Sequence, residues 1–292
     1  MLILGALLGW AMVVAFAGWT GHWIVLPLAA VLVTLHSSLQ HEALHGHPTR
    51  SAAWNEALVY TPLGLFIPYR RFKALHLRHH NNDRLTDPYD DPESFYLALA
   101  DWQRLPGVVR AVLTVNNTLL GRLVIGPLVA LIGFYGTDLR ALLKGDRKVA
   151  NAWLHHALGL VPVVVFVTFL AGVPLWLYAA AVAYPAMSLL MLRTFAEHRA
   201  HADPEKRSII VEHCPVFSLL FLNNNLHLVH HSHPAVAWYK LPGLYRRDKP
   251  DWQRRNGGYV YGTYFDLVRA YLFKVKEPVV HPDTAGPDDS KR

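Results

Sequence analysis

Lysine and arginine are missing from two long windows of this 292-residue chain, residues 1–49 and 149–192, although 28 of them occur in the remainder. Each window is long enough for two spans of roughly 20 apolar residues joined by a tight turn. In the first, Leu2 to Gly18 and Trp23 to Gln40 flank a break at Gly18-Trp19-Thr20-Gly21-His22. In the second, Leu154 to Leu170 and Leu175 to Leu192 flank Ala171-Gly172-Val173-Pro174. The pattern predicts two transmembrane helical hairpins, each followed by a polar segment.

Composition agrees: 52% of residues are hydrophobic, 17% are charged and the mean hydropathy is +0.18. That is too apolar for an ordinary soluble enzyme and too polar for a bare helical bundle. Neutral turns and basic polar segments fit the positive-inside rule, which places both polar segments on the cytoplasmic side. The net charge of +7 therefore reads as topology and anionic-lipid contact, and no nucleic-acid partner is expected. A cleaved signal peptide is disfavoured because no basic stretch precedes the first apolar one. Cys214, the single cysteine, excludes an intrachain disulfide framework and any CxxC site.

Three histidine clusters follow this plan. His41-Glu42-Ala43-Leu44-His45 comes directly after the second span. His76-Leu77-Arg78-His79-His80 lies in the first polar segment, and His227-Leu228-Val229-His230-His231 lies beyond the fourth span. Residues three and four apart share a helix face, so each cluster can direct its imidazoles at one spot. Neutral imidazole suits iron, copper, nickel and zinc, and the eight such side chains exceed what one metal can use. An even number of spans separates any two clusters, so all three emerge on one membrane face.

The order HxxxH, HxxHH, HxxHH, with one hairpin before the first box and another between the second and third, resembles the membrane fatty acid desaturase superfamily. That superfamily includes alkane hydroxylases and carotenoid ketolases, and the resemblance runs from about Leu2 to Pro242. His230-His231-Ser232-His233-Pro234 and Trp238-Tyr239-Lys240-Leu241-Pro242 are similar to elements that follow the third box, and Thr86 to Glu93 to an acidic Asp-Pro stretch after the second. Glu197-His198 is similar to the Glu-His pair of the alkane hydroxylases. The resemblance implies nine ligands for two non-haem irons: His41, His45, His76, His79, His80, His198, His227, His230 and His231. Where some desaturases hold a water with Asn, this chain has Thr194, leaving Asn223, Asn224 or Asn225 as substitutes.

The implied fold is all-α, a multi-pass membrane protein with two hairpins under a cytosolic di-iron cap. The implied activity is O2-dependent oxidation of a lipid or hydrocarbon chain, with fatty acyl desaturation first and hydroxylation or ketolation as the alternative. Electrons would come from an external ferredoxin, rubredoxin or cytochrome b5 type of donor with its reductase, since the chain has no paired-cysteine site, haem module or GxGxxG fingerprint. The basic face could dock an acidic carrier. Glu42, Asp83 and Glu197 are the candidates for carboxylates that hold imidazole N–H groups. Asp87, Asp90, Asp91 and Glu93 either do the same or serve turns.

Competing readings explain less. His41 to His45 also fits HExxH, a zinc protease motif, but such a site has no use for two HxxHH clusters. A non-enzymatic haem protein or metal transporter would place polar ligands within the spans, whose interiors contain almost none. His47, His201 and His233 lie beside ligands but off the pattern and read as hydrogen-bonding or interfacial residues. His155 and His156 read as headgroup-level residues. Trp54 to Pro68 and Val108 to Phe134 read as interfacial or re-entrant helices. The aromatic and basic residues of 236–276 suit the headgroup layer. Residues 1–276 form one membrane domain in this reading, and 277–292 a disordered tail.

Overall fold

Four helices of the computed structural model, which describes residues 1–282, are long and apolar enough to cross a membrane: Leu2–Thr20, Trp23–Leu44, Arg147–Leu170 and Leu175–Glu197. They are the four expected spans. The third starts at Arg147 rather than Leu154 because Asp146 caps it, accepting from the backbone N–H groups of Lys148 and Val149. No more than 44% of any span's apolar window is buried within the protein. The outward rows, such as Leu4, Leu8 and Met12 on the first span, are as apolar as the inward ones, which is the signature of a lipid-facing helix. The chain is an integral membrane protein and mostly helical. Among the described residues its strands are one parallel pair, Ile210–Val211 with Val260–Tyr261.

Two compact units make up the chain. The first comprises residues 1–74, 127–190 and 219–222, and the second residues 75–126, 191–218 and those from 223 onward. In the first unit Gly21, at φ 69, ends the opening helix in the left-handed conformation that glycine adopts without strain. Gly18 is needed for another reason. A methyl group there would fall 1.6 Å from the carbonyl oxygen of Ala171, so the first span approaches the second hairpin's turn backbone to backbone. Trp19 Nε1 donates to the Leu170 carbonyl at 2.9 Å beside it. Farther along, Trp10 Nε1 donates to the Tyr178 hydroxyl at 2.8 Å, which donates in turn to the Leu63 carbonyl at 2.8 Å. Around this chain of bonds pack Val14, Ala29, Ala30, Val33, Val167 and Val182, small residues of the kind that let membrane helices approach closely. Both spans of the second hairpin carry a π-helical segment, Val165–Leu170 and Ala179–Ala183.

The interrupted apolar stretch from Val108 to Phe134 falls in three helices, Gly107–Asn116, Leu119–Val124 and Gly126–Leu143. Thr118 caps the second by accepting from the N–H of Gly121. The third, in the first unit, extends past Phe134 and ends in a polar turn carrying Asp138. That carboxylate is 1% exposed and accepts from Arg71 Nη2 at 2.7 Å and Trp153 Nε1 at 2.8 Å.

In the second unit Ile210, Leu226, Leu228, Val229, Leu241, Tyr245 and Trp252 form a compact apolar cluster. Leu228 and Val229 tie the short helix His227–Ser232 into it. This corrects the expectation for the aromatics of 236–276. Tyr245, Trp252, Tyr259 and Tyr264 are buried, because their rings fill the core of this unit. Cations pack on them from outside, Arg255 over Trp252 at 4.7 Å and Arg199 over Tyr259 at 4.4 Å. Residues 277–282, expected as the start of a disordered tail, are held in the second unit. The His281 N–H donates to Leu97 O, and Val279 and His281 are buried. Residues 283–292 of that expectation lie outside the described residues.

Candidate metal centre

Helical spacing puts His76, His79 and His80 at the end of helix Tyr69–His80, and His227, His230 and His231 on helix His227–Ser232. His198 follows the fourth span and bridges to Ser208 in an antiparallel backbone pair. Seven imidazoles of the second unit thereby converge in two groups. His79, His198, His227 and His231 have ligand nitrogens within 4.8 Å of one another, as do His76, His80 and His230. In the first group the Nε2 atoms of His79 and His198 lie 3.1 Å apart, and those of His227 and His198 2.9 Å apart. In the second, His80 Nε2 and His230 Nε2 are 3.1 Å apart.

The outer ring nitrogens decide what these distances mean. His79 Nδ1 lies 2.7 Å from Asp91 Oδ1, and His76 Nδ1 2.8 Å from Glu93 Oε1. A carboxylate only accepts, so each Nδ1 carries the proton and each Nε2 presents a lone pair. His227 Nδ1 meets Asn224 Oδ1 at 2.9 Å. That amide is oriented by its own Nδ2, which donates to Glu197 Oε1 at 3.3 Å, and Arg193 pairs with the same carboxylate oxygen at 2.7 Å. The lone pairs of His79 and His227 thus both face His198 Nε2, which has at most one proton to give. His231 Nε2 is buried there with no hydrogen-bond partner among the described residues. Lone pairs aimed at one place with too few protons are the donor set of a metal cation, and the residues fit one.

Electrostatics favour the same use. Burial, then the charges of neighbouring imidazoles, hold His198, His227 and His231 well below the usual imidazole range. They stay neutral, the form that binds metal. Burial would lower His79 too, but the hydrogen bond it donates to Asp91 and the charges of Glu93 and Asp91 outweigh it and raise the ring's basicity. Glu93 is pushed the other way: burial would raise it, yet His76 holds it far below the ordinary carboxylate range. A more basic imidazole is a stronger metal ligand.

His41 and His45 belong to the first unit, one helical turn apart with ring centroids 4.8 Å apart. Glu42 beside them is buried. Asp83 is a correction. It is exposed on the loop after the second box, and the carboxylates that hold imidazoles there are Asp91 and Glu93. The loop turns back at Thr86, whose φ of 75 is strained for a β-branched residue, and the Thr86 N–H donates to Asp91 Oδ2 at 2.8 Å. Of the three asparagines, Asn224 orients a ligand, while Asn223 and Asn225 donate to the carbonyls of Trp238 and Val211. Thr194 Oγ1 points to Met191 Sδ. His47, His201 and His233 belong to neither group. His201 Nδ1 accepts from the Asp203 N–H, and His233 packs edge-on to Trp252. Sequence reasoning missed Ser208, 3.2 Å from His198 Nδ1, and Lys276, whose Nζ donates to the His198 carbonyl at 2.9 Å. Neither carries a spacing signal.

Residues 17–263 match the sequence profile of a family described as fatty acid desaturase. The chain belongs to the fatty acid desaturase family. No curated protein matches it. Family membership makes it an oxidoreductase of the desaturase and hydroxylase type, acting on lipid in a membrane, and the family typically binds iron. The histidine groups of this desaturase-family chain are able to hold metal.

One measurement checks the role of the outer nitrogens. Asp91→Asn should weaken metal retention by about 10–100-fold, the usual effect of removing a carboxylate that orients a ligand. Metal content would be followed during dialysis against a chelator. Loss at the wild-type rate would show that Asp91 does not support the site.

Proposed function

We propose that the protein is an O2-dependent di-iron enzyme that removes hydrogen from an aliphatic lipid chain, with fatty acyl desaturation as its reaction. The observation that carries this is the facing of the His79, His198 and His227 lone pairs, which asks for a cation held by nitrogen alone. In this reading His79, His198, His227 and His231 hold one iron. His76, His80 and His230 hold the other, with His41 and His45 completing the nine. Iron so held supplies reductive activation of O2 and attack on an unactivated C–H bond. The chain's residues do the rest: Asp91, Glu93 and Asn224 keep each imidazole turned inward, and burial keeps competing water and protons away.

The clusters would face the cytoplasm, where a ferredoxin, rubredoxin or cytochrome b5 type of donor with its reductase delivers electrons. Glu197-His198 supports hydroxylation as the second reading, since that pair is similar to the one in alkane hydroxylases. Mass spectrometry of lipids from cells with and without the protein distinguishes the two. Loss of a pair of hydrogens is the expected result, and gain of one oxygen atom would establish hydroxylation instead. Purified protein should contain two irons; a single zinc or a haem absorption band would overturn the reading.

A further inference from the structure

Beside His198 the second unit has a partly open cavity of about 30 Å3. A water needs roughly 10–15 Å3 measured this way, so the space suits one or two water-sized particles. Arg122 lines it and is 3% exposed. The guanidinium lies 3.9 Å from the centre of the Phe95 ring. Its Nε donates to the Asn116 carbonyl and its Nη2 to Asn117 Oδ1, both at 3.0 Å. Nη1 is buried with no hydrogen-bond partner among the described residues.

Neither acceptor of Arg122 is charged, and among the described residues the other groups around the cavity do not fully supply the missing counter-charge. Lys276 also lines the cavity, its Nζ shared between the His198 carbonyl and Glu277 Oε2. Glu277 also lines the cavity, its Oε2 accepting from Lys276 Nζ and from the Tyr96 hydroxyl. Among the described residues that line the cavity, Arg122 and Lys276 therefore face one carboxylate, that of Glu277. A desolvated cation without a counter-charge is strongly unfavourable. Water could satisfy the remaining N–H groups but not the charge.

We propose that this cavity is a binding site for a small monovalent anion of chloride size, held by Arg122 Nη1 and the Lys276 side of the pocket. Such an ion would neutralise the pocket and clamp together residues 95–96, 117–122 and 276–277 around the His198 backbone. Its size excludes phosphate esters, and its burial excludes a polymeric partner. The proposed anion ligands, Arg122 and Lys276, belong to neither imidazole group, although His198 also lines the cavity.

The test is equilibrium dialysis of the full-length, metal-loaded protein against radioactive chloride in gluconate buffer of matched ionic strength. One saturable site per chain is expected in the wild type. In Arg122→Met, affinity should fall by about tenfold or more, as for loss of a charged hydrogen bond. Because that variant could fail to fold, Asn117→Asp provides the decisive comparison. It places a carboxylate on Arg122 Nη2 and should abolish chloride uptake, while its unfolding temperature in chloride-free buffer matches or exceeds that of the wild type in chloride. No saturable uptake by the wild type, or undiminished uptake by Asn117→Asp, would overturn the proposal. A bromide soak of crystals should place anomalous density beside Arg122 Nη1, and density elsewhere counts against the site.

Discussion

His79→Ala is expected to leave the protein folded but short of metal, with at least one of two irons lost and lipid oxidation undetectable. The imidazole takes part in both kinds of interaction that define the site. Its Nε2 meets His198 at 3.1 Å, and its Nδ1 is held by Asp91 at 2.7 Å. Truncation removes a ligand and leaves the Asp91 carboxylate, itself 4% exposed, without its imidazole partner, so some destabilisation should accompany the loss. His233→Ala is the matched control. That ring packs on Trp252, outside both groups, and its removal should leave the iron count unchanged. Elemental analysis with a circular dichroism spectrum of each variant checks the pair. Two irons retained in His79→Ala would remove that residue from the centre.

Asp138→Ala should have the largest effect on stability outside the metal groups. Its carboxylate binds the Arg71 guanidinium through Nε and Nη2 and also accepts from Trp153 Nε1. Removing one member of a buried pair leaves the other charge uncompensated, which costs about 3–5 kcal/mol. Replacing both members by apolar residues of similar volume is often close to neutral, so Arg71→Met with Asp138→Leu should recover most of the loss. Thermal unfolding in lipid nanodiscs measures both. A cost below about 1 kcal/mol for the single variant would mean that the pair is solvated and ordinary.

The spans and the convergence of the histidine clusters were legible because each rests on local regularity. A charge-free window reports a lipid-facing helix directly, and spacing of three and four reports a shared helix face. The groups that hold the imidazoles were legible only as members of wider sets: Asp91 and Glu93 among the acidic residues after the second box, Asn224 among three asparagines. Asp83 is nearest in sequence to the second box, yet the chain reverses at Thr86, and Asp91 and Glu93 are the carboxylates that reach the rings. Asn224 lies among three consecutive asparagines, and only the backbone path decides which one faces His227. Burial of Tyr245, Trp252, Tyr259 and Tyr264 was hidden for the same reason. An aromatic residue between basic ones can cover a membrane surface or fill a core, and distant partners such as Ile210 and Leu226 settle the matter.

The π-helical segment Ala179–Ala183 lies between an ordinary helical turn, Leu175–Tyr178, and the long helix Tyr184–Glu197. A single π turn amounts to an α-helix holding one surplus residue. Deleting one of its alanines should therefore restore regular helix while Tyr178 and Glu197 keep their faces. The same deletion inside Leu26–Leu44 would rotate everything beyond it by about 100°. Within the fourth span, residue number is therefore negotiable at this segment without turning the residues that lead to His198 off their faces.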